Sequence, residues 1–287
     1  MIRTDGADLP VMQALTARLW TPGARWHVGD VAWGRAAYRG RERPTARWER
    51  DGRTVAWAWL EAGELCWLAD PSADAADVVL DWAPGARETM VMAGDRPAVD
   101  ALTRRGWSVA DGPWFDHLVR DLAGLPPLGA GPAVRPVDPT DDADVLARAA
   151  AHRAAFDHLV GHTPGTPGEP DPARHRAVTG TWPYRADLDL VAEVDGTIAA
   201  YCLLWLDEAN RVGLLEPVGT DPRFRRRGLA RRVCLAGLHA LRRAGATRAL
   251  VCPRGDPGYP VPGVLYRDLG FTYVDRTVTY LAPYPAV

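Results

Sequence analysis

The stretch Arg223-Phe224-Arg225-Arg226-Arg227-Gly228-Leu229-Ala230 places four arginines within five positions, then a glycine and an alanine on either side of Leu229. Residues of these types at this spacing suit a pyrophosphate. Small side chains at Gly228 and Ala230 let a phosphate approach the backbone closely, and the arginines raise the local positive potential. The competing reading is a solvated basic loop, because runs of like charge are often surface decoration.

The elements that flank the run favour the ligand. An apolar strand-like segment, Val212 to Thr220, precedes it, and a helix from about Gly228 to Ala244 follows. Leu229, Val233, Ala236, Leu238 and Leu241 fall near helical spacing, with Arg231, Arg232, Arg242 and Arg243 mostly toward solvent, and Gly245 supplies the stop. A loop entering a helix N-terminus aims free N–H groups outward, where the helix dipole also favours negative charge.

The same order of elements occurs twice. In the first half a turn at Asp51-Gly52 precedes the strand Thr54 to Leu60. The strand Glu64 to Ala69, a helical stretch near Ala73 to Trp82, the strand Thr89 to Met92, a helix ending at Arg105-Gly106-Trp107 and a strand around Trp114 to Val119 complete it. In the second, Asp195-Gly196 precedes the strands Thr197 to Leu206 and Val212 to Thr220 and the helix already described. The strand Arg248 to Cys252, a short helix ending at Leu269-Gly270-Phe271 and the strand Arg276 to Leu281 close it. This is an α/β (α+β) pattern of two tandem domains, each a mixed, mostly antiparallel sheet flanked by helices. The proline- and glycine-rich residues 121–133 read as a linker between a domain 1–120 and a domain 134–287.

The copies differ in their chemistry. Opposite the basic loop the first has Asp70-Pro71-Ser72-Ala73-Asp74-Ala75-Ala76-Asp77, with no glycine and three acidic residues that repel phosphate. Setting Gly106 against Gly270 puts Leu102 opposite Tyr266, so the first copy also lacks that hydroxyl. Its expected role is a scaffold.

Composition bounds the rest. The chain has 287 residues, a net charge of -2 and 34 basic residues, all arginine, so the basic run is local and gives no global attraction to nucleic acid or an anionic membrane. Cys66, Cys202, Cys234 and Cys252 lack paired spacing, which argues against zinc or a disulfide framework. Neither a signal-like core nor an apolar run of about 18 residues is present; the expectation is a cytoplasmic protein without a metal.

Arg225-Arg226-Arg227-Gly228-Leu229-Ala230 fits the pattern Gln/Arg-x-x-Gly-x-Gly/Ala, and Leu265-Tyr266-Arg267-Asp268-Leu269-Gly270-Phe271 follows in order. Together they resemble the two signatures of the GCN5-related N-acetyltransferases, strongly over residues 134–287 and by architecture alone over 1–120. Tandem members of that family often keep one degenerate copy. The segment Arg254 to Gly263 departs from it, lacking the asparagine often found before the tyrosine helix.

The resemblance implies an acetyl-CoA or other acyl-CoA co-substrate bound by Val218, Gly219, Thr220, Arg225, Arg226, Arg227, Gly228, Leu229, Ala230 and Arg231. Pro217, unable to donate a ladder hydrogen bond, suits a bulge or a plain strand end alike; the resemblance favours a splay of this strand from Arg248 to Cys252 that takes the pantetheine arm. Glu216, acidic amid apolar neighbours, is the expected general base, with a structural ion pair as its alternative. Tyr266 is the expected acid for the leaving thiolate, with plain packing under the cofactor as its alternative. His152 and His158, on an expected helix Asp142 to Val160, lie where the family shapes its acceptor site. The irregular segment His162 to His175 reads as a covering loop, and Trp182, Tyr184 and Trp205 line a pocket or simply pack.

The expected activity is acetyl transfer to a primary amine of a small molecule. The alternative is a non-catalytic acyl-CoA sensor, and a homodimer is compatible with either. Nucleic-acid binding through Arg223 to Arg232 is disfavoured by the net charge.

Overall fold

The computed structural model describes residues 1–37, 40, 43–156 and 170–283. Strand β1 (Ile2–Asp5) leads into helices α1 (Leu9–Leu19) and α2 (Val28–Ala37). Asp8 starts α1 by accepting the Val11 N–H at 3.0 Å, with Pro10 in the first turn where no N–H is needed. At the start of α2 the caps are reciprocal. The Asp30 carboxylate accepts the His27 N–H at 2.7 Å, while His27 Nδ1 accepts the Gly29 N–H at 3.0 Å.

An antiparallel meander follows, β2 (Thr45–Arg50), β3 (Arg53–Glu61) and β4 (Glu64–Ala69), then α3 (Ala76–Trp82), β5 (Glu88–Met92), α4 (Arg96–Arg104), β6 (Ser108–Val109) and β7 (Asp116–Asp121). The second half runs β8 (Val134–Pro136), α5 (Asp142–Phe156), α6 (Pro172–Thr179), β9 (Asp189–Val194), β10 (Thr197–Asp207) and β11 (Val212–Thr220). It ends with α7 (Leu229–Arg243), β12 (Arg248–Val251), α8 (Val261–Asp268) and β13 (Thr272–Leu281). The expected helix at 73–82 begins as a 3-10 turn, Pro71–Ala73, with α3 starting at Ala76. His158 and most of the segment 162–175 lie outside the described residues.

One sheet carries both halves, in the order β1-β2-β3-β4-β5-β13-β7-β12-β11-β10-β9-β8, with β6 beside β13. Each half repeats one plan, a meander whose last strand has a parallel neighbour reached by a crossover helix: β4 with β5 through α3, β11 with β12 through α7. The halves then exchange strands. β7, from the first half, lies between β12 and β13, and the end of β13 pairs with β5 and β6.

Helix α7 buries Leu229, Val233, Leu235, Leu238 and Leu241 against the second half's core, each such side chain contributing about 1.5–3 kcal/mol. The linker is strapped along this helix: Arg232 donates to the carbonyls of Leu128, Gly129 and Pro132, and His239 Nε2 lies 2.9 Å from the Pro126 carbonyl. Gly29 of α2 meets β10 so closely that a Cβ there would lie 2.3 Å from that of Trp205. Among the described residues no helix is long and apolar enough to cross a membrane.

Candidate functional site

The site begins where β11 breaks its ladder. β10 and β11 pair Cys202 with Val218 and Leu204 with Leu215, so Glu216 and Pro217 together face Leu203 alone, which is a bulge. The Glu216–Pro217 peptide is cis, and the Trp205 indole N–H donates to the Glu216 carbonyl at 2.7 Å. The parallel ladder to β12 ends at Leu214 and Leu250, while β11 continues to Thr220. β12 itself ends at Val251, so the rest of β11 has no ladder on that side among the described residues.

The loop after β11 turns into α7 through Asp221, whose side chain caps the turn Pro222–Phe224 and holds Arg223 at 2.7 Å. Arg226 and Gly228 both take positive φ, 62° and 75°. Gly228 stands at the N-cap of α7 and no side chain caps that end, which leaves the first N–H groups of a long helix free for an anion.

A pocket of about 450 Å³ joins these parts. Val218, Gly219, Thr220, Arg225, Arg226, Gly228, Leu229, Ala230 and Arg231 line it together with Tyr266, Phe156 and the α8 residues Val261 and Leu265. Arg227 does not line it; its guanidinium sits 5.3 Å from the Phe224 ring centre. Arg231 is also tied to Asp268 at 2.9 Å. Tyr266 is only 6% exposed and packs edge-on against Phe271. Burial, with Cys234, Cys202 and Glu216 nearby, holds its phenol well above its ordinary pKa, so it carries its proton at neutral pH and can donate it.

Glu216 lines a different space, a cleft of about 250 Å³ between the halves. The first half supplies Arg25, Trp26, Asp30, Trp33, Gly34, Arg43 and Trp59, with Glu61, Glu64 and Cys66; Phe115, Glu216 and Cys252 complete the wall. Burial raises the Glu216 carboxyl well above the usual range, and the charge and hydrogen bond of Asp30 add to this while Arg25 opposes it. Of these residues, Asp30 and the tryptophans carried no local signal in the sequence; their place is set by strand exchange and helix docking.

The remaining candidates have structural partners. His152 Nδ1 lies 2.7 Å from the Tyr201 hydroxyl, and its ring packs against Trp33 and Phe156. Burial and the nearby Arg148 push its pKa well below normal. Tyr184 packs edge-on against fully buried Trp205, and Trp182 is 60% exposed, its carbonyl accepting from Gln13.

An uncapped helix N-terminus under a glycine turn, beside the end of β11 left unpaired on the β12 side, can take an anion and an extended arm along the strand. Residues 156–271 match the family model described as "Acetyltransferase (GNAT) family", so that stretch of the chain is a domain of that family. It is 34% identical over 194 residues to a protein named mycothiol acetyltransferase from Kineococcus radiotolerans, covering 65% of this chain and 59% of that one. A second mycothiol acetyltransferase, from Nocardia farcinica, is 34% identical over 211 residues, covering 70% and 66%. The chain thus spans less than two thirds of the length of these relatives. A solved tandem GNAT protein from the clavulanic acid biosynthesis pathway matches 97% of this chain and 94% of its own at a TM-score of 0.61 and 18% identity, a likeness of fold.

Proposed function

We propose that the chain is an acetyl-CoA-dependent N-acetyltransferase whose acceptor is a primary amine of a small molecule. The observation that carries this reading is the continuous pocket from the uncapped start of α7 to Tyr266. In it, Arg225, Arg226 and Arg231 and the backbone of residues 228–230 hold the pyrophosphate, and the free edge of β11 at Val218, Gly219 and Thr220 pairs with the pantetheine arm. The Tyr266 phenol protonates the departing sulfur. Glu216, in the wall of the cleft between the halves, receives the proton of the acceptor amine. Arg227 contributes charge without contact.

The first half, residues 1–120, serves as a degenerate copy. At the equivalent loop Asp70 is held by Arg18 at 2.8 Å and by the Ser72 hydroxyl, and the space there is about 10 Å³, too small for a nucleotide. The two named relatives make a mycothiol-related amine the first acceptor to try. The test is thiol release from acetyl-CoA against amino sugars, amino acids, polyamines and mycothiol-related amines, with mass detection of the acetylated product. Tight acetyl-CoA binding without turnover on any of them supports the sensor reading instead.

A further inference from the structure

Asp30 and Glu216 approach each other from opposite halves of the chain, on α2 and at the β11 bulge, in a cleft walled by three tryptophans. Asp30 is not free to leave: the His27 N–H fixes one of its oxygens at 2.7 Å. His27 is anchored in turn, its Nε2 lying 3.3 Å from the Val212 carbonyl at the start of β11. Gly29 allows this by bringing α2 flush against Trp205, the residue that holds the Glu216 carbonyl. One chain of contacts therefore sets the Asp30 carboxylate and the Glu216 carboxyl within hydrogen-bonding reach. We propose that the two act as one unit holding a single shared proton, with Asp30 as the positioning residue, and that this unit receives the proton of an acceptor arriving as an ammonium ion. The inference rests on the acetyltransferase reading and deepens it.

Two half-buried carboxyls in contact cannot both ionise cheaply, so the pair keeps one proton and one negative charge. Two arginines line the same cleft, and Arg25 opposes that charge in part. Arg43 is committed to Glu61 at 2.7 Å, and the Arg25 guanidinium lies over the Trp26 ring at 4.2 Å. Burial keeps Glu64 and the thiols of Cys66 and Cys252 toward their protonated forms, and leaves His27 and His117 toward neutral. A cation entering between the tryptophan faces meets the negative charge of the pair, and aromatic faces attract the same cation.

The proton count then closes. The ammonium gives one proton to the pair, which passes from one proton to two. The nitrogen lone pair forms the C–N bond to the acyl carbon and the C–S bond breaks. Tyr266 gives its proton to sulfur and regains one from nitrogen. When the pair sheds its extra proton to solvent, one proton has been released for each amide formed.

The test needs no acceptor. Infrared difference spectra of the free protein against pH report the carbonyl stretch of protonated carboxylic acids. The wild type is expected to show such a band at neutral pH that Glu216→Gln lacks. In Asp30→Asn, which keeps an acceptor for the His27 N–H, and in Asp30→Ser, the titration midpoint of that band should fall by about one pH unit or more. A midpoint unmoved in both Asp30 variants, or no band in the wild type, overturns the proposal. Calorimetric titration of the wild type with acetyl-CoA tests the underlying reading separately, because the carboxyl band does not depend on that ligand.

Discussion

Tyr266 is buried, packed on Phe271 and kept protonated by its surroundings, so its hydroxyl can be removed with little change in packing. Tyr266→Phe should lower kcat for the best acceptor by about 100-fold, within the range for a lost general acid, with the KM for acetyl-CoA nearly unchanged. Steady-state kinetics decide this; an equal rise in KM would mean that the ring only packs. Tyr266 and Gly228 were legible in the sequence because each sits in a short local pattern. Asp30 was not, because nothing near it in the chain marks it, and its meaning comes from a carboxyl that only folding brings alongside. Histidine at 152 suggested acceptor chemistry by position, yet its nitrogen is engaged by Tyr201.

Among the elements, the entry to α7 depends on one backbone conformation. A side chain at Gly228 would meet no neighbouring atom within 4 Å, so a substitution there acts through φ of 75° and through the space a phosphate needs. Placing an L-residue in that region costs about 1–2 kcal/mol. Gly228→Ala should therefore weaken acetyl-CoA binding about tenfold by calorimetry while changing kcat little. The strand β7 makes a different prediction. Among the described residues neither ring nitrogen of His117 has a hydrogen-bond partner, and burial lowers its pKa to about 4. The unfolded chain titrates near 6.5, so between those values it binds more protons than the folded chain, and stability falls as pH drops from about 6.5 to about 4. Urea midpoints at pH 7 and pH 5 should differ less in His117→Leu than in the wild type. Apolar runs bounded by turns made β3, β4 and β10 legible to within a residue or two. Helices α1 and α2 escaped because the first 50 residues carry few turn-bounded patterns, and those helices wall the cleft.

For the whole molecule, the closed loop at Asp70 and the open one at Gly228 predict one acetyl-CoA per chain. A calorimetric stoichiometry near two would contradict the assignment of residues 1–120 as a degenerate copy. The repeat was visible in the order of elements, but the exchange of β7 and β13 was not. A strand's sequence records which faces are buried and says little about which neighbour supplies its ladder. A fragment of residues 134–287 lacks β7 and leaves the edges of β12 and β13 unpaired; it should aggregate where the full chain stays soluble by light scattering. The exchange also bears on descent. A deletion that trimmed away residues 1–120 would remove a strand from the middle of the sheet that carries the candidate site, so the two halves can only be kept or lost together.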